Sequence, residues 1–385
     1  MSGRVLITGG AGFIGSYLAD RLIAEGYRLR LLDNLDPQVH LHGPPPYLNH
    51  QAEMRIADVR DKVALAAAIN DIDIVIHCAA AVGVGQSMYQ VQRYVDVNVH
   101  GTATLLEAIV ERKEPLRKLI VFTSMTGYGE GMYRRPSDCK LLRVDIRSQR
   151  HIDQYGWEPT CPETGEILEP APTPEDSTLM ATNVYALTKR YQEELALSLG
   201  QTYQFPVVCL RLFNVYGPRQ SLNNPYTGVL AIFLSRLLNN ERPVVYEDGR
   251  QTRDFVSVHD VVRATLLAIE RPVADGQVFN IGTGVARQIG EIAHTLAQLL
   301  DKPDLMPQIT HQFRKGDIRH CLADLSRTRS LLGFSPQIPW EESLSELIEW
   351  AQSVSIPDQF NQAYQELRNR GLVNTRSDQL YGDGT

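Results

Sequence analysis

Val5-Leu-Ile-Thr-Gly9-Gly-Ala-Gly12-Phe-Ile-Gly15 is the stretch on which the fold turns. An apolar run of strand length enters a glycine turn and leaves as a helix beginning near Phe13. Glycines there let backbone N–H groups approach a pyrophosphate, and the positive N-terminal end of the helix then faces the phosphates. Gly15 lets that helix lie close on the strand. Asp33, ending the next apolar run Leu29-Arg-Leu-Leu32, stands where a ribose-binding carboxylate belongs. No basic residue follows Asp33 to receive a 2′-phosphate, so the cofactor expected is NAD rather than NADP.

A second motif, Asn183-Val-Tyr-Ala-Leu-Thr-Lys189, places a phenol and an ammonium one helical turn apart, as Tyr185 and Lys189. A free tyrosine titrates near ~10 and is a poor base at neutral pH. One positive charge at about 4 Å and an effective dielectric of about 20 is worth roughly 4 kcal/mol, or about three pKa units, before desolvation subtracts from it. Lys189, joined by a cationic nicotinamide ring, is therefore expected to bring Tyr185 into the range of a general base. Ser124 ends the run Leu119-Ile-Val-Phe-Thr-Ser124 at the same edge of the sheet and is expected to hydrogen-bond the same substrate oxygen.

Five short β-branched runs, Val5–Thr8, Leu29–Leu32, Ile72–His77, Leu119–Ser124 and Val207–Leu212, alternate with helical patterns after Gly12, Asp61, Val91 and Asn183. Such alternation predicts a parallel sheet covered on both faces, a doubly wound α/β fold with its ligand beyond the carboxyl ends of the strands. The dinucleotide domain is expected over residues 1–217, with an irregular insertion at about 130–178 that suits a lid or specificity loop. A smaller C-terminal α/β lobe follows over 218–355, partly returning to the main sheet. Its pieces are a loop Asn223–Gly228, a helix to Leu238, a strand pair around Val244 and Phe255, and helices near Val261, Ile289 and Leu344. A C-terminal extension, 356–385, holds a polar helix over Gln359–Arg370 and a Gly/Asp-rich tail to which no chemistry is assigned.

The chain has 385 residues, 43% of them hydrophobic, enough for one large α/β unit or two lobes sharing a cleft. No run reaches membrane-spanning length and no apolar leader precedes the first strand, so a cytoplasmic protein without a membrane partner is expected. A net charge of −7 argues against nucleic acid. The five cysteines are scattered, with Cys78 and Cys209 in strand-like runs, which suits a reducing compartment. Cys139, His151 and Cys161 offer donors but no Cys-x-x-Cys pair, so no metal is expected.

Thr8-Gly-Gly-Ala-Gly-Phe-Ile-Gly15, Asp58-Val-Arg-Asp61, Asn98-Val-His-Gly101, Thr123-Ser124, Tyr185-x-x-x-Lys189, Leu210-Arg-Leu-Phe-Asn214-Val-Tyr-Gly-Pro-Arg219, Arg253-Asp-Phe-Val and Val278-Phe-Asn-Ile-Gly282 together resemble the extended short-chain dehydrogenase/reductases that act on nucleotide sugars. The match covers roughly Gly3 to Trp350. It implies a Rossmann-like domain binding NAD through Gly9, Gly12, Phe13, Ile14, Gly15, Asp33 and Asn34, with Asp58 and Val59 at the adenine. Cys78, Ala79, Ala80, Val82, Thr123 and Phe213 would line the dinucleotide, and Tyr185, Lys189 and Asn98 would meet it at the catalytic end. The resemblance sets Ser124, Tyr185, Lys189, Asn98 and Thr126 among the catalytic groups. Ser124, Met125, Thr126, Asn214, Arg253, Arg314 and Asp317 would hold a nucleotide-diphosphate sugar, the arginines by planar pairing with phosphate oxygens. It also implies a homodimer joined through the Tyr-bearing helix and the helix near Asn98–Lys113.

In that family the 4,6-dehydratases carry Asp-Glu after the hydroxyl residue, and the decarboxylases keep the glutamate. Met125 and Thr126 stand there instead, which leaves chemistry needing only hydride transfer and one hydroxyl proton. The simplest is C4 epimerisation through a 4-keto sugar with NAD retained. The alternatives are a net NAD(P)-dependent 4-keto reductase or dehydrogenase of nucleotide sugars, and a non-catalytic dinucleotide sensor. The surroundings of Met125–Tyr133 and of Trp157–Asp176 resemble the dTDP-L-rhamnose 4-epimerase-like branch, the UDP-glucose 4-epimerase-like branch being the other candidate. Paired Cys-Pro-x-Cys/His-Gly knuckles of the former are reduced here to Arg135-Pro-Ser-Asp-Cys139 and Cys161-Pro-Glu-Thr-Gly165.

Overall fold

The computed structural model describes residues 3–226, 228–354 and 357–376; the Gly/Asp-rich tail after Arg376 lies outside them. Seven parallel strands form the main sheet in the order Gln277–Ile281, Val207–Leu212, Lys118–Ser124, Ile74–His77, Arg4–Thr8, Arg28–Asp33 and Glu53–Ile56. The chain builds outward from Arg4–Thr8 in one direction and from Ile74–His77 in the other. The crevice for a ligand opens where that direction reverses.

Alternation along each strand divides the core. Val5, Ile7, Ile74, Ile76, Ile120, Phe122, Val208 and Leu210 pack on one face, while Leu6, Val75, Leu119, Val121, Val207 and Cys209 pack on the other. Both faces are covered, which is why the strands read as continuous apolar runs. Glu53–Ile56 is the edge strand, half exposed and carrying Glu53 and Arg55, and it escapes that pattern.

The smaller lobe has its own core, with Phe233, Leu234, Ile292, Leu296, Leu344 and Leu347 from three helices packed together. The strands near Val244 and Phe255 do not pair with each other. Val244–Val245 pairs with Gln308–Ile309, and Thr252–Ser257 sits between Asn214–Tyr216 and His320–Ala323 in a second sheet. Between them Glu247 takes a left-handed backbone, φ 55°, and turns its carboxylate to Arg147 and Arg319.

Chain expected as irregular supplies three strands to this second sheet, Met132–Arg134, Leu141–Arg143 and Glu169–Thr173. A three-residue strand shows less than two alternation periods, and Pro170 and Pro172 read as breaks. The segment is thus built into the second lobe. Arg135 organises its two turns: the guanidinium holds Asp138 through two bonds, Glu163 at 2.8 Å and the Cys161 sulfur at 3.5 Å.

Candidate active site

The glycine turn has the clearances that a pyrophosphate cradle needs. Gly9 takes φ 69°, and a Cβ there would lie 2.8 Å from the Ala79 nitrogen; one on Gly15 would lie 2.3 Å from the Gly9 carbonyl oxygen. The helix Phe13–Ala24 begins directly after this turn. Asp33 accepts from the backbone of Ala11 at 3.1 Å and of Leu35 at 2.9 Å, fixing its carboxylate beside the turn.

Asn183 caps the helix Val184–Tyr203 by accepting from Ala186 N at 2.9 Å, which puts Tyr185 in the first turn and Lys189 in the second. Both are buried. Ser87 Oγ accepts from the Tyr185 backbone N–H at 3.1 Å, and Lys189 Nζ donates to the Phe122 carbonyl at 2.9 Å. Ser124 Oγ accepts from both Thr126 N, 3.2 Å, and Thr126 Oγ1, 3.0 Å, at the start of a short helical turn Met125–Tyr128.

Burial pushes the Tyr185 phenol up to about 12, and a side-chain hydrogen bond with Ser124 only partly opposes it. Lys189 is not among the groups that lower it. Burial also brings Lys189 down to about 8, against the pull of Cys78. Dry surroundings disfavour phenolate and ammonium alike, so in the protein alone Tyr185 is a neutral acid.

One cavity of about 540 Å³ collects these groups. Every predicted site residue lines it except Asp58 and Asn98. Asp58 pairs with Arg60, which holds its carboxyl down at about 2, and takes a bond from Asn34 at 2.9 Å. It steadies Asn34, which lines the cavity. Asn98 lies in a π-helical turn, Val95–His100, and spends its amide on Ala81 N (2.7 Å), Ala81 O (3.0 Å) and Thr188 Oγ1 (2.9 Å). These bonds fix the Ala81 wall and the Tyr-bearing helix, and Asn98 does not line the cavity in this structure.

Across the cavity, Arg253 and Arg314 share Asp317, at 3.2 and 2.7 Å. Burial alone would raise the Asp317 carboxyl, but the two guanidiniums hold it below the ordinary carboxylate range. Two cations against one anion leave positive charge on this wall. The side-chain carbonyl oxygens of Asn214, Gln220 and Gln251 are buried in the same lining without a hydrogen-bond partner among the described residues. Such acceptors suit a ligand rich in hydroxyl or N–H donors. Gln220 and Gln251 escape the sequence reading, as do Arg93 and Tyr226 in the same lining, because no local motif marks them.

A model of the NAD dependent epimerase/dehydratase family matches residues 5–157 and 159–282. A dTDP-L-rhamnose 4-epimerase of Burkholderia thailandensis is 37% identical over 355 residues, covering 90% of this chain and 94% of that protein. A UDP-glucose 4-epimerase of Mycolicibacterium smegmatis is 32% identical over 356 residues, covering 91% and 99%. Among solved structures, the UDP-glucuronic acid 4-epimerase of Bacillus cereus in complex with UDP-glucuronic acid and NAD superposes with a TM-score of 0.74 at 26% identity, covering 91% of this chain and 100% of that one.

Proposed function

This chain belongs to the NAD-dependent epimerase/dehydratase family, and from that premise and the cavity's geometry we propose that it is a nucleotide-sugar 4-epimerase that inverts C4 of a nucleotide-diphosphate hexose or deoxyhexose. The observation that carries this reading is the meeting of Ser124, Tyr185 and Lys189 in one cavity with a Gly9–Gly15 cradle on one side and the Arg253–Asp317–Arg314 wall on the other.

NAD is the cofactor, held by the glycine turn, Asp33 and the Cys78–Val82 wall, and when bound it supplies a reversible hydride acceptor for C4. With the positive charge that the oxidised cofactor would bring beside Lys189, Tyr185 would first lose its phenolic proton to solvent, and as the phenolate it takes the O4 proton of the sugar and later returns it. Ser124 donates to the same oxygen, its own lone pairs already oriented by Thr126. Lys189 steadies the phenolate once positive charge gathers in the site. Arg253 and Arg314 hold the diphosphate, so the 4-keto hexose turns over while anchored and presents its other face. Met125 and Thr126 offer no acid–base pair for abstraction at the far end of the sugar, which sets epimerisation apart from dehydration. No net oxidation occurs.

A homodimer in the cytoplasm completes the proposal. Val91, Val95, Leu187 and Tyr191 are exposed on neighbouring helices, which supports pairing there. The five free cysteines suit a reducing compartment. No helix among the described residues is long and apolar enough to cross a membrane.

Purified protein incubated with a panel of dTDP-, UDP- and GDP-hexoses should give a mixture of C4 isomers at constant NADH absorbance. Stoichiometric NADH change would overturn epimerisation in favour of net redox. Tyr185→Phe should lower turnover by roughly 10² to 10⁴ while its NAD content stays unchanged. A variant that epimerises at the parental rate rules Tyr185 out as proton carrier.

A further inference from the structure

The walls at the sugar end of the cavity are held from the C-terminal extension. Its helix, Phe360–Asn369, presents Glu366, whose Oε2 accepts from the Tyr89 hydroxyl at 2.7 Å and the Tyr226 hydroxyl at 2.6 Å. The two hydroxyls lie 2.8 Å apart. Arg370, at the C-terminal cap of that helix, stands over the Tyr89 ring at 4.3 Å, and Leu367 packs on Gly85, where an added Cβ would meet it at 3.1 Å. The chain then forms the strand Val373–Thr375, paired antiparallel with Gln312–Arg314, the strand that carries one of the two diphosphate-wall arginines.

Tyr226 lines the cavity and lies one layer from the reacting phenol. A Cβ on Gly83 would fall 2.9 Å from both the Tyr226 Cβ and the Tyr94 hydroxyl, and the Tyr94 ring meets the Tyr185 ring edge-on at 6.3 Å. The segment under Leu367 includes Ser87, which receives the Tyr185 backbone N–H. The loop before Tyr226 is tied to the dinucleotide domain through Asn224, which accepts from Gln38 at 3.0 Å. One carboxylate thus joins the two segments that flank the acid–base tyrosine.

We propose that Glu366 is a positioning residue for the sugar: by accepting both tyrosine hydroxyls it fixes Tyr226 as the wall against which the hexose settles. The proposal rests on the nucleotide-sugar reading of the cavity. Glu366 touches neither the glycine cradle nor Lys189, so its loss acts on sugar binding and leaves the cofactor in place. Glutamine keeps a carbonyl oxygen able to accept both hydroxyls and should substitute for it; alanine should not.

The test uses full-length protein and the nucleotide hexose on which the parent is active. E366A should raise KM roughly tenfold with kcat within about twofold, with unchanged NAD content and unchanged affinity for free UDP or dTDP, while E366Q stays close to the parent. A KM for E366A equal to the parent's overturns the proposal, as does a KM for E366Q raised as far as that of E366A. If E366A fails to fold, Y226F decides: a raised KM with native NAD content supports the proposal, and an unchanged one overturns it. Parental inactivity on every nucleotide hexose would sink the reading of the site itself, an outcome distinct from an active parent whose variants show no change.

Discussion

His77 shows how a single buried side chain ties the cofactor turn to the catalytic helix. It ends a main-sheet strand with Nδ1 2.7 Å from Thr8 Oγ1 and Nε2 2.9 Å from Thr102 Oγ1, and Gln192 of the Tyr-bearing helix lies 3.2 Å away. Thr102 in turn donates to the Asn98 carbonyl. Burial, helped by Lys189, brings the imidazole down to about 3, so it is neutral throughout the working range. Between pH 6.5 and about 3 the unfolded chain binds a proton that the folded chain refuses. This contribution is complete above pH 6.5 and is lost as pH falls through the window, with a slope of at most about 1.4 kcal/mol per pH unit. Denaturant unfolding of the parent between pH 6 and pH 4.5 should therefore lose stability more steeply than that of His77→Gln, which keeps hydrogen-bonding capacity but does not titrate. Parallel slopes would remove His77 from the account. At this scale the sequence was legible where chemistry is local: Tyr185, Lys189, Ser124 and Asp33 announce themselves by spacing or by position at a strand end. The bonds from the Asn98 amide to Ala81 and Thr188 are not legible in the sequence, because they join residues 17 and 90 positions apart.

At the scale of elements the glycine turn and the helix behind it act as one unit. Gly15 has no room for a methyl group: its Cβ would meet the Gly9 oxygen at 2.3 Å and the Gly10 Cα at 2.9 Å, both backbone atoms that no side-chain rotation can relieve. Gly15→Ala should push the helix Phe13–Ala24 off the turn, weaken NAD binding at least tenfold and cost roughly 1–3 kcal/mol of stability. Gly26 at the far end of that helix takes φ 84° with nothing within 4 Å of its Cβ position. Gly26→Ala should cost about 1 kcal/mol from backbone strain and leave NAD affinity unchanged. Calorimetric NAD titration and thermal melts of the two variants separate a packing cost from a conformational one, and equal NAD affinities would refute the role given to Gly15. The same contrast explains which elements could be read in advance. Main-sheet strands are buried on both faces and spell themselves in Val, Ile and Leu. The insertion strands are three to five residues long, two of them pair only within the insertion, and Glu169–Thr173 meets its outer partner at His320–Ala323, too far along the chain for a local pattern to register.

Across the whole molecule, the insertion and the second lobe are joined by charge buried between them. Arg319 is fully buried and binds Glu158 of the insertion together with Glu247 and Asp248 of the lobe; Arg147 bridges Glu247 and Glu130, and His320 meets Glu158 at 2.9 Å. The same stretch backs the wall of Arg253, Asp317 and Arg314, since Arg253 donates to the carbonyls of Ile318 and Arg319 at 2.8 and 3.0 Å. A network of this kind adds little over a well-packed apolar cluster, but removing one member strands the others without compensation. Arg319→Met takes the shared guanidinium from Glu158, Glu247 and Asp248, leaving Glu247 with Arg147 and Glu158 with His320, and should cost about 3–5 kcal/mol in denaturant unfolding. Adding Glu247→Gln removes part of that uncompensated charge, so the double variant should be more stable than Arg319→Met alone, the opposite of what two independent losses would give. Because Arg253 draws its geometry from this backbone, the single variant should also bind the nucleotide hexose on which the parent is active more weakly, whereas its NAD content, set in the other domain, should not change. Additive losses in the double variant would mean that Arg319 contributes through packing alone, and the join between insertion and lobe would then have to be sought in the strand pairing of Glu169–Thr173 with His320–Ala323.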